Sequence, residues 1–296
     1  MSSIVPEPSV DVRTTAGRRL GSGLLGRARF VPRCAIYGFI GLVVLLAIFG
    51  PLLTPVDPKL PHLNDVFAPP SGEYWLGTDE LGRDVLSRTI AGARTAVLGA
   101  LVITFGGLMI GAPLGLLAGY RGGRFDTAIS RWADFMIAIP ALLVAIVVVG
   151  VLGGGYWMAV ALLIVLQSPF DTRMVRGGAL EQRGRPYVEA ARTLGVSDWT
   201  IMRRHIWPNL LSVIVPNAAL TFTYALVSLA GLAFLGLGVA PGESDWGLMV
   251  AENRSGLYAN PWATLAPALM LMLLATAVSF LGDILYERFE DQGGGR

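Results

Sequence analysis

Three carboxylates stand within or beside long apolar stretches of this chain: Asp134, Asp171 and Asp283. Ionisable groups inside a membrane are costly and usually serve proton or ion movement, so Asp134 and Asp283 could drive an ion-coupled carrier or channel. Yet all three lie within a turn or two of the inner ends of their helices, near Arg131, Arg173 and Arg288, which predicts ion pairs at the rim. Other chemistries fare worse. His62 and His205 fall in opposite aqueous compartments in the topology below and form no zinc or catalytic pair. Cys34 is the only cysteine, which excludes a disulfide framework and a CxxC metal site. ATP hydrolysis needs a phosphate-cradling loop of the GxxxxGK[ST] type, and the only lysine, Lys59, follows no such glycines. The glycines of "FLGLGVAPG" imitate a nucleotide loop, but no strand precedes them and they end an apolar helix. The chain is expected to be no enzyme and to bind no cofactor of its own.

The elements that must position these residues are membrane spans. Hydrophobic residues make up 53% of the chain and charged residues 15%, far from a soluble domain. Residues 34–53, 95–120, 135–170, 206–242 and 255–282 contain no Asp, Glu, Lys or Arg, and each reaches the roughly 20 residues a spanning helix needs. The run 135–170 folds at "GVLGGGY" into two spans, giving six at about 33–53, 95–119, 127–150, 156–174, 210–237 and 263–286. Pro113, Pro140, Pro169, Pro216 and Pro267 put one proline in each of spans two to six, a pattern that suggests a five-helix working core and one peripheral helix.

Arginine placement orients the spans. With the N-terminus inside, 18 of the 23 basic residues fall on inner segments, and only Lys59, Arg83, Arg88, Arg94 and Arg254 lie outside. The expected fold is an all-α polytopic membrane protein with six transmembrane helices and both termini cytoplasmic. Residues 1–30 read as a disordered cytoplasmic tail, 31–94 as the first span and an extracytoplasmic loop with an amphipathic helix, 95–290 as the five-helix core, and 291–296 as a tail. In that amphipathic helix Leu81, Val85, Leu86, Thr89, Ile90 and Ala93 form an apolar face opposite Arg83, Asp84, Ser87 and Arg88, as for a helix resting on the outer leaflet.

One polar stretch, "YVEAARTLGVSDWTIMRRHIWPN" from Tyr187 to Asn209, lies between greasy segments on the arginine-rich side. Tyr187, Ala191 and Leu194 share a stripe on a first short helix, and Gly195 follows as a left-handed stop. Ser197 or Asp198 can cap a second helix whose Trp199, Met202 and Ile206 share a face, with Pro208 ending it. A helical hairpin of this kind can read DNA, but tethering to a bilayer at both ends argues against nucleic acid. It can also lie flat on the headgroups; the small Ala190 and Ala191 favour a close-packed protein partner.

"EAARTLG" followed by "HIWP" resembles the EAA motif of bacterial ABC-importer permeases, EAA-x3-G-x9-I-x-LP. Glu189, Ala190, Ala191 and Gly195 match, and Ile206 and Pro208 match with one extra residue in the spacing; Trp207 stands where the family usually has Leu. "WLGTDELGRDVLSRTIAGARTAV", "DWGLMVAEN" and "FLGDILYERF" are similar to the C-type subunit of the dipeptide/oligopeptide and nickel class, so that the resemblance spans roughly residues 33–290.

The resemblance implies a type I ABC-importer permease fold in the bacterial cytoplasmic membrane, with residues 178–208 as a hairpin that docks on a cytoplasmic ATPase subunit. Glu189, Ala190, Ala191, Leu194, Gly195, Ile206 and Pro208 would form that coupling element. The implied partners are a homologous permease subunit, two ATPase domains that hold ATP and Mg, and an extracytoplasmic solute-binding protein. The outer acids Asp57, Asp65, Glu73, Asp79, Glu80, Asp84, Glu243, Asp245 and Glu252 suit a docking surface for that protein or ordinary solvation. Di- or oligopeptide is the expected cargo and nickel the alternative; an ion-coupled carrier stays open as a different class, and a signalling scaffold on a borrowed permease fold is the remote third.

Overall fold

The computed structural model describes residues 22–293. The expected tail therefore lies outside the described residues as far as residue 21, and so do residues 294–296. The first helix, α1 (Ser22–Leu53), already takes in residues 22–30 of the segment expected as tail. It is followed by α2 (Val85–Arg121), α3 (Gly123–Ala138), α4 (Ala141–Leu152) and α5 (Tyr156–Arg183). Two short helices, α6 (Pro186–Thr193) and α7 (Asp198–Thr200), lead through a π-helical turn, Ile201–Ile206, into α8 (Trp207–Phe234). A short α9 (Trp246–Asn253) and the long α10 (Trp262–Gly293) complete the chain. Among the described residues the only β pairing is one isolated bridge, Thr78 with Asp84.

Five helices are long and apolar enough to cross a membrane, six spans if α3 and α4 count as one bent element. Sequence periodicity predicts a single helix over 127–150; instead α3 and α4 meet at 77°. The break falls where proline dictates it. Ile139 precedes Pro140 and is extended (φ −91°, ψ 131°), the conformation forced on a residue before proline. Pro140 then starts α4 as its N-cap. Pro113, Pro169, Pro216 and Pro267 stay inside unbroken helices. The helix α1 is the least buried of the long ones, with 17% of its apolar stretch covered, in keeping with a peripheral helix.

The core forms around α2 and α5, which approach closely because glycines face the contact. A Cβ at Gly111 would stand 2.6 Å from the carbonyl oxygen of Ser168, and one at Gly115 2.4 Å from that of Thr172. Small residues at four-residue spacing are the usual means of bringing membrane helices together. Ile103, Val160, Leu163, Phe222, Leu226 and Trp246 extend this packing into one buried cluster across α2, α5, α8 and α9.

Asp171 is buried in that α2–α5 contact rather than sitting at a rim. Its two carboxylate oxygens have no hydrogen-bond partner among the described residues, and Gly107 and Gly111 of α2 press against it. The reason is geometric: Asp171 is one turn past Gln167 on the face turned to α2, whereas Arg173 points away and pairs with Asp134. Arg176, rather than an inner-rim neighbour in sequence, takes both oxygens of Asp126.

The segment before α2 also departs from expectation. Its polar residues Arg83, Asp84, Ser87 and Arg88 are buried as fully as Val85, Thr89 and Ala93 of the expected apolar face. Asp79 is fully buried and accepts from Arg88, from Arg83 Nε at 2.7 Å, and from the backbone N–H groups of Leu81 and Arg83, both at 2.9 Å. Arg83 and Arg88 each reach on to Glu252, at 3.2 and 3.0 Å, and to the carbonyls of Gly242 and Glu243. Asp84 is spent as the α2 N-cap on Ser87 and Asp245 as the α9 N-cap on Gly247 and Leu248. Buried carboxylates with two arginines satisfy each other's charge, so Asp79, Asp84, Asp245 and Glu252 are structural and drop out of any acidic docking face.

Candidate functional site: the hairpin between α5 and α8

The hairpin begins as α5 runs to Arg183, turns at Gly184, and restarts at Pro186 in the first turn of α6, where a missing N–H costs nothing. The chain then reverses at Gly195 (φ +75°). The N–H of Gly195 donates to the carbonyl of Arg192 at 2.9 Å and that of Val196 to Ala191 at 3.1 Å. This pair of bonds closes the end of α6 and requires the left-handed residue to be glycine for lack of strain. Ser197 caps α7 through the N–H of Thr200, while Asp198 is used elsewhere.

Asp198 accepts from the hydroxyl of Tyr120, at the end of α2, at 2.5 Å. The Arg192 guanidinium stacks over the Tyr120 ring at 5.0 Å and its Nε donates to the same hydroxyl at 3.4 Å. Both halves of the hairpin are thereby fastened to one tyrosine. Below it, Val188, Ala191, Ile201, Met202, Ile206 and Leu210 pack with Leu116, Val175 and Ala179 of α2 and α5. The Tyr187 hydroxyl donates to Gln182 at 2.6 Å and accepts from Asn209 at 3.3 Å, joining α6 to the start of α8.

The predicted residues divide into two groups. Ala191 and Ile206 are buried in the seat of the hairpin. Glu189, Ala190, Leu194, Gly195 and Pro208 face outward. Leu194 is 82% exposed and Trp199 65%, so two large apolar side chains flank the Gly195 turn with nothing covering them among the described residues. The expected stripes are thus only half right. Val188 with Ala191, not Tyr187 with Leu194, faces inward on α6, and Trp199 leaves the face of Met202 and Ile206. The three-residue step from Val188 to Ala191 was present in the sequence, but so was the competing step through Tyr187.

Pro208 does not end the second helix. The chain is helical from Asp198 to Phe234, and the proline is absorbed by the π turn just before it. In a regular α-helix the ring would collide with the carbonyl four residues back, that of Arg204. Here the N–H of Trp207 reaches five residues back to Met202, widening the turn, and the Asn209 side chain donates to the His205 carbonyl at 2.6 Å. Tyr120, Val188, Ile201 and Leu210 are the site residues that local sequence reading missed, since only the fold brings α2 and α5 beneath the hairpin.

Residues 111–291, which include the whole hairpin, match the family described as binding-protein-dependent transport system inner membrane component. The chain belongs to this family. It is 35% identical over 257 residues to a protein of Escherichia coli (strain K12) named as a probable D,D-dipeptide transport system permease, covering 87% of this chain and 86% of the relative. A glutathione transport system permease of Pectobacterium atrosepticum is 36% identical over 256 residues, 85% of this chain and 84% of that one. The fold is also that of a solved methionine ABC transporter in inward-facing conformations, with a TM-score of 0.57 and 22% identity over 69% of this chain and 96% of that one. The protein is a multi-pass transport permease of the bacterial inner membrane.

Proposed function

We propose that this chain forms half of the translocation pore of an ATP-driven importer of di- or oligopeptides, and that residues 178–208 couple it to a cytoplasmic ATPase subunit. The observation that carries the coupling role is the pair of uncovered apolar side chains, Leu194 and Trp199, on either side of the Gly195 turn. Large exposed apolar groups beside a rigid turn suit a groove on another protein. The Tyr120 clasp and the unbroken run from α7 into α8 then carry any push at the tip into the spans. Peptide as cargo is supported by the dipeptide and glutathione permeases among the relatives.

The remaining partners follow from the family: a homologous permease for the other half of the pore, two ATPase domains holding ATP and Mg, and a solute-binding protein on the far side. The arginine bias supports a cytoplasmic hairpin and cytoplasmic termini, with residues 54–94 and 238–262 outside. A cysteine at position 183 in a Cys34-free background tests that topology. It should resist a membrane-impermeant thiol reagent applied to intact cells and react once the cells are opened; strong labelling from outside would invert the arrangement. Deletion of the gene should lower uptake of short peptides, and unchanged peptide uptake with lost nickel accumulation would replace the cargo.

A further inference from the structure

A cavity of about 390 Å³ lies between α5 and α8, lined by Gln167, Phe170, Asn217, Leu220, Thr221 and Tyr224. It sits halfway along both helices. Gln167 is eleven residues past Tyr156, and Asn217 and Tyr224 are ten residues from the two ends of α8. At a rise of about 1.5 Å per residue each position lies roughly 15 Å in from one end of its helix, well inside a hydrocarbon core about 30 Å thick.

Polar side chains there must find partners in protein or in a water-filled path. The Asn217 amide donates to Thr221 at 3.4 Å, and Gln167 and the Tyr224 hydroxyl make no hydrogen bond to any described residue. Tyr224 is 67% exposed. By contrast, the groove between α1, α2, α8 and α10 suits lipid. Its lining is Ile40, Val44, Phe105 and similar residues, and its one polar side chain, Thr104, donates to its own helix at the Ala100 carbonyl. The unbonded Gln167 amide and Tyr224 phenol therefore lie on the α5–α8 side, away from that groove.

We propose that Gln167, Asn217 and Tyr224 form a mid-membrane subsite that hydrogen-bonds the main-chain amides of a peptide in transit. This rests on the peptide-importer reading above. Primary amides offer a donor and an acceptor side by side, the complement of a peptide unit, whatever its side chains. The lining carries no charge, so it binds weakly enough for release, as a conducting path requires. The volume lies within the range of small-ligand pockets. A facing helix of the second permease subunit is the competing occupant, but close helix contacts are made by small residues, and Phe170, Leu220 and Tyr224 are large and form a concavity.

The test uses the complete importer, both permeases with ATPases and binding protein, in proteoliposomes with radiolabelled dialanine. Gln167→Leu and Asn217→Leu should each lower uptake about tenfold, the effect of one neutral hydrogen bond, while subunit assembly and binding-protein-stimulated ATP hydrolysis persist. Tyr224→Cys in a Cys34→Ala background should react with a water-soluble thiol reagent, and dialanine should slow that reaction. If the leucine variants fail to assemble, the labelling decides: a cysteine at 224 that stays unreactive, or is indifferent to dialanine, overturns the subsite. Parental uptake by the leucine variants overturns the subsite and leaves the importer reading intact. A parent complex that imports no dialanine or longer peptide overturns both.

Discussion

The two ends of this molecule are held together by opposite means. At one end, Asp79, Arg83, Arg88 and Glu252 tie two segments more than 150 residues apart, around the starts of α2 and α9, into a buried, mutually neutralising cluster. At the other end the hairpin rests on an apolar seat and a single tyrosine clasp, and leaves Leu194 and Trp199 bare. The first end has spent its charges internally and is built to stay as it is. The second leaves two large apolar side chains uncovered among the described residues, which is what the proposed coupling role would use.

That contrast makes the ionic end the more fragile to single substitutions. Arg88→Ala leaves Asp79 buried with one cation fewer and is expected to cost about 3–5 kcal/mol, seen as a large fall in the thermal midpoint of the detergent-solubilised protein and in membrane abundance. A change of under 1 kcal/mol would mean that the cluster is solvated and the two ends are alike. Next in size, Gly195→Val forces a β-branched residue into the left-handed region at about 1–2 kcal/mol. No neighbour lies within 4 Å of the site of its Cβ, so the effect is backbone strain alone. Membrane abundance should remain normal while co-purification of the ATPase and uptake are lost; a variant that binds and transports like the parent would remove the hairpin from the coupling path.

Tyr120→Phe deletes one hydroxyl and with it the bond to Asp198, a loss of about 1 kcal/mol. It should weaken ATPase association less than Gly195→Val, measured in the same pull-down, and leave the thermal midpoint nearly in place. Smallest of all is Arg173→Ala, which breaks the exposed pair with Asp134 and should change stability by less than about 1 kcal/mol. Loss of transport from Arg173→Ala with an intact fold would instead revive Asp134 as an ion-coupling group.

The hairpin was legible because its signals are local. Gly195 and Ser197 each act within four residues, and the structure uses them as turn and cap, whereas Ala191, expected against a partner, is buried on α2 and α5. The five proline positions were equally visible, yet only Pro140 breaks a helix. The residue type is the same at all five, yet Pro113, Pro169, Pro216 and Pro267 lie inside helices that continue through them, so proline alone does not decide a break. Arg83 and Arg88 misled for a related reason. An arginine on a helix face reads as solvated until a distant Glu252 is brought to it. Asp171 was assigned to an ion pair because Arg173 is near in sequence, but two residues along a helix is nearly the opposite side. The resemblance to the EAA motif, rather than local physics, is the source of the proposal that a partner docks on this loop.

The ionic cluster also sets an order on the making of the protein. Arg88 and Glu252 are 164 residues apart, and at about 5–20 residues per second the arginine waits roughly 10–30 s for its carboxylate to be synthesised. During that interval Arg83 and Arg88 have Asp79 as their buried counter-ion but lack Glu252, which each of them pairs with in the finished fold. The cluster begun by Asp79, Arg83 and Arg88 in the first third of the chain is thus complete only once Glu252 has been made.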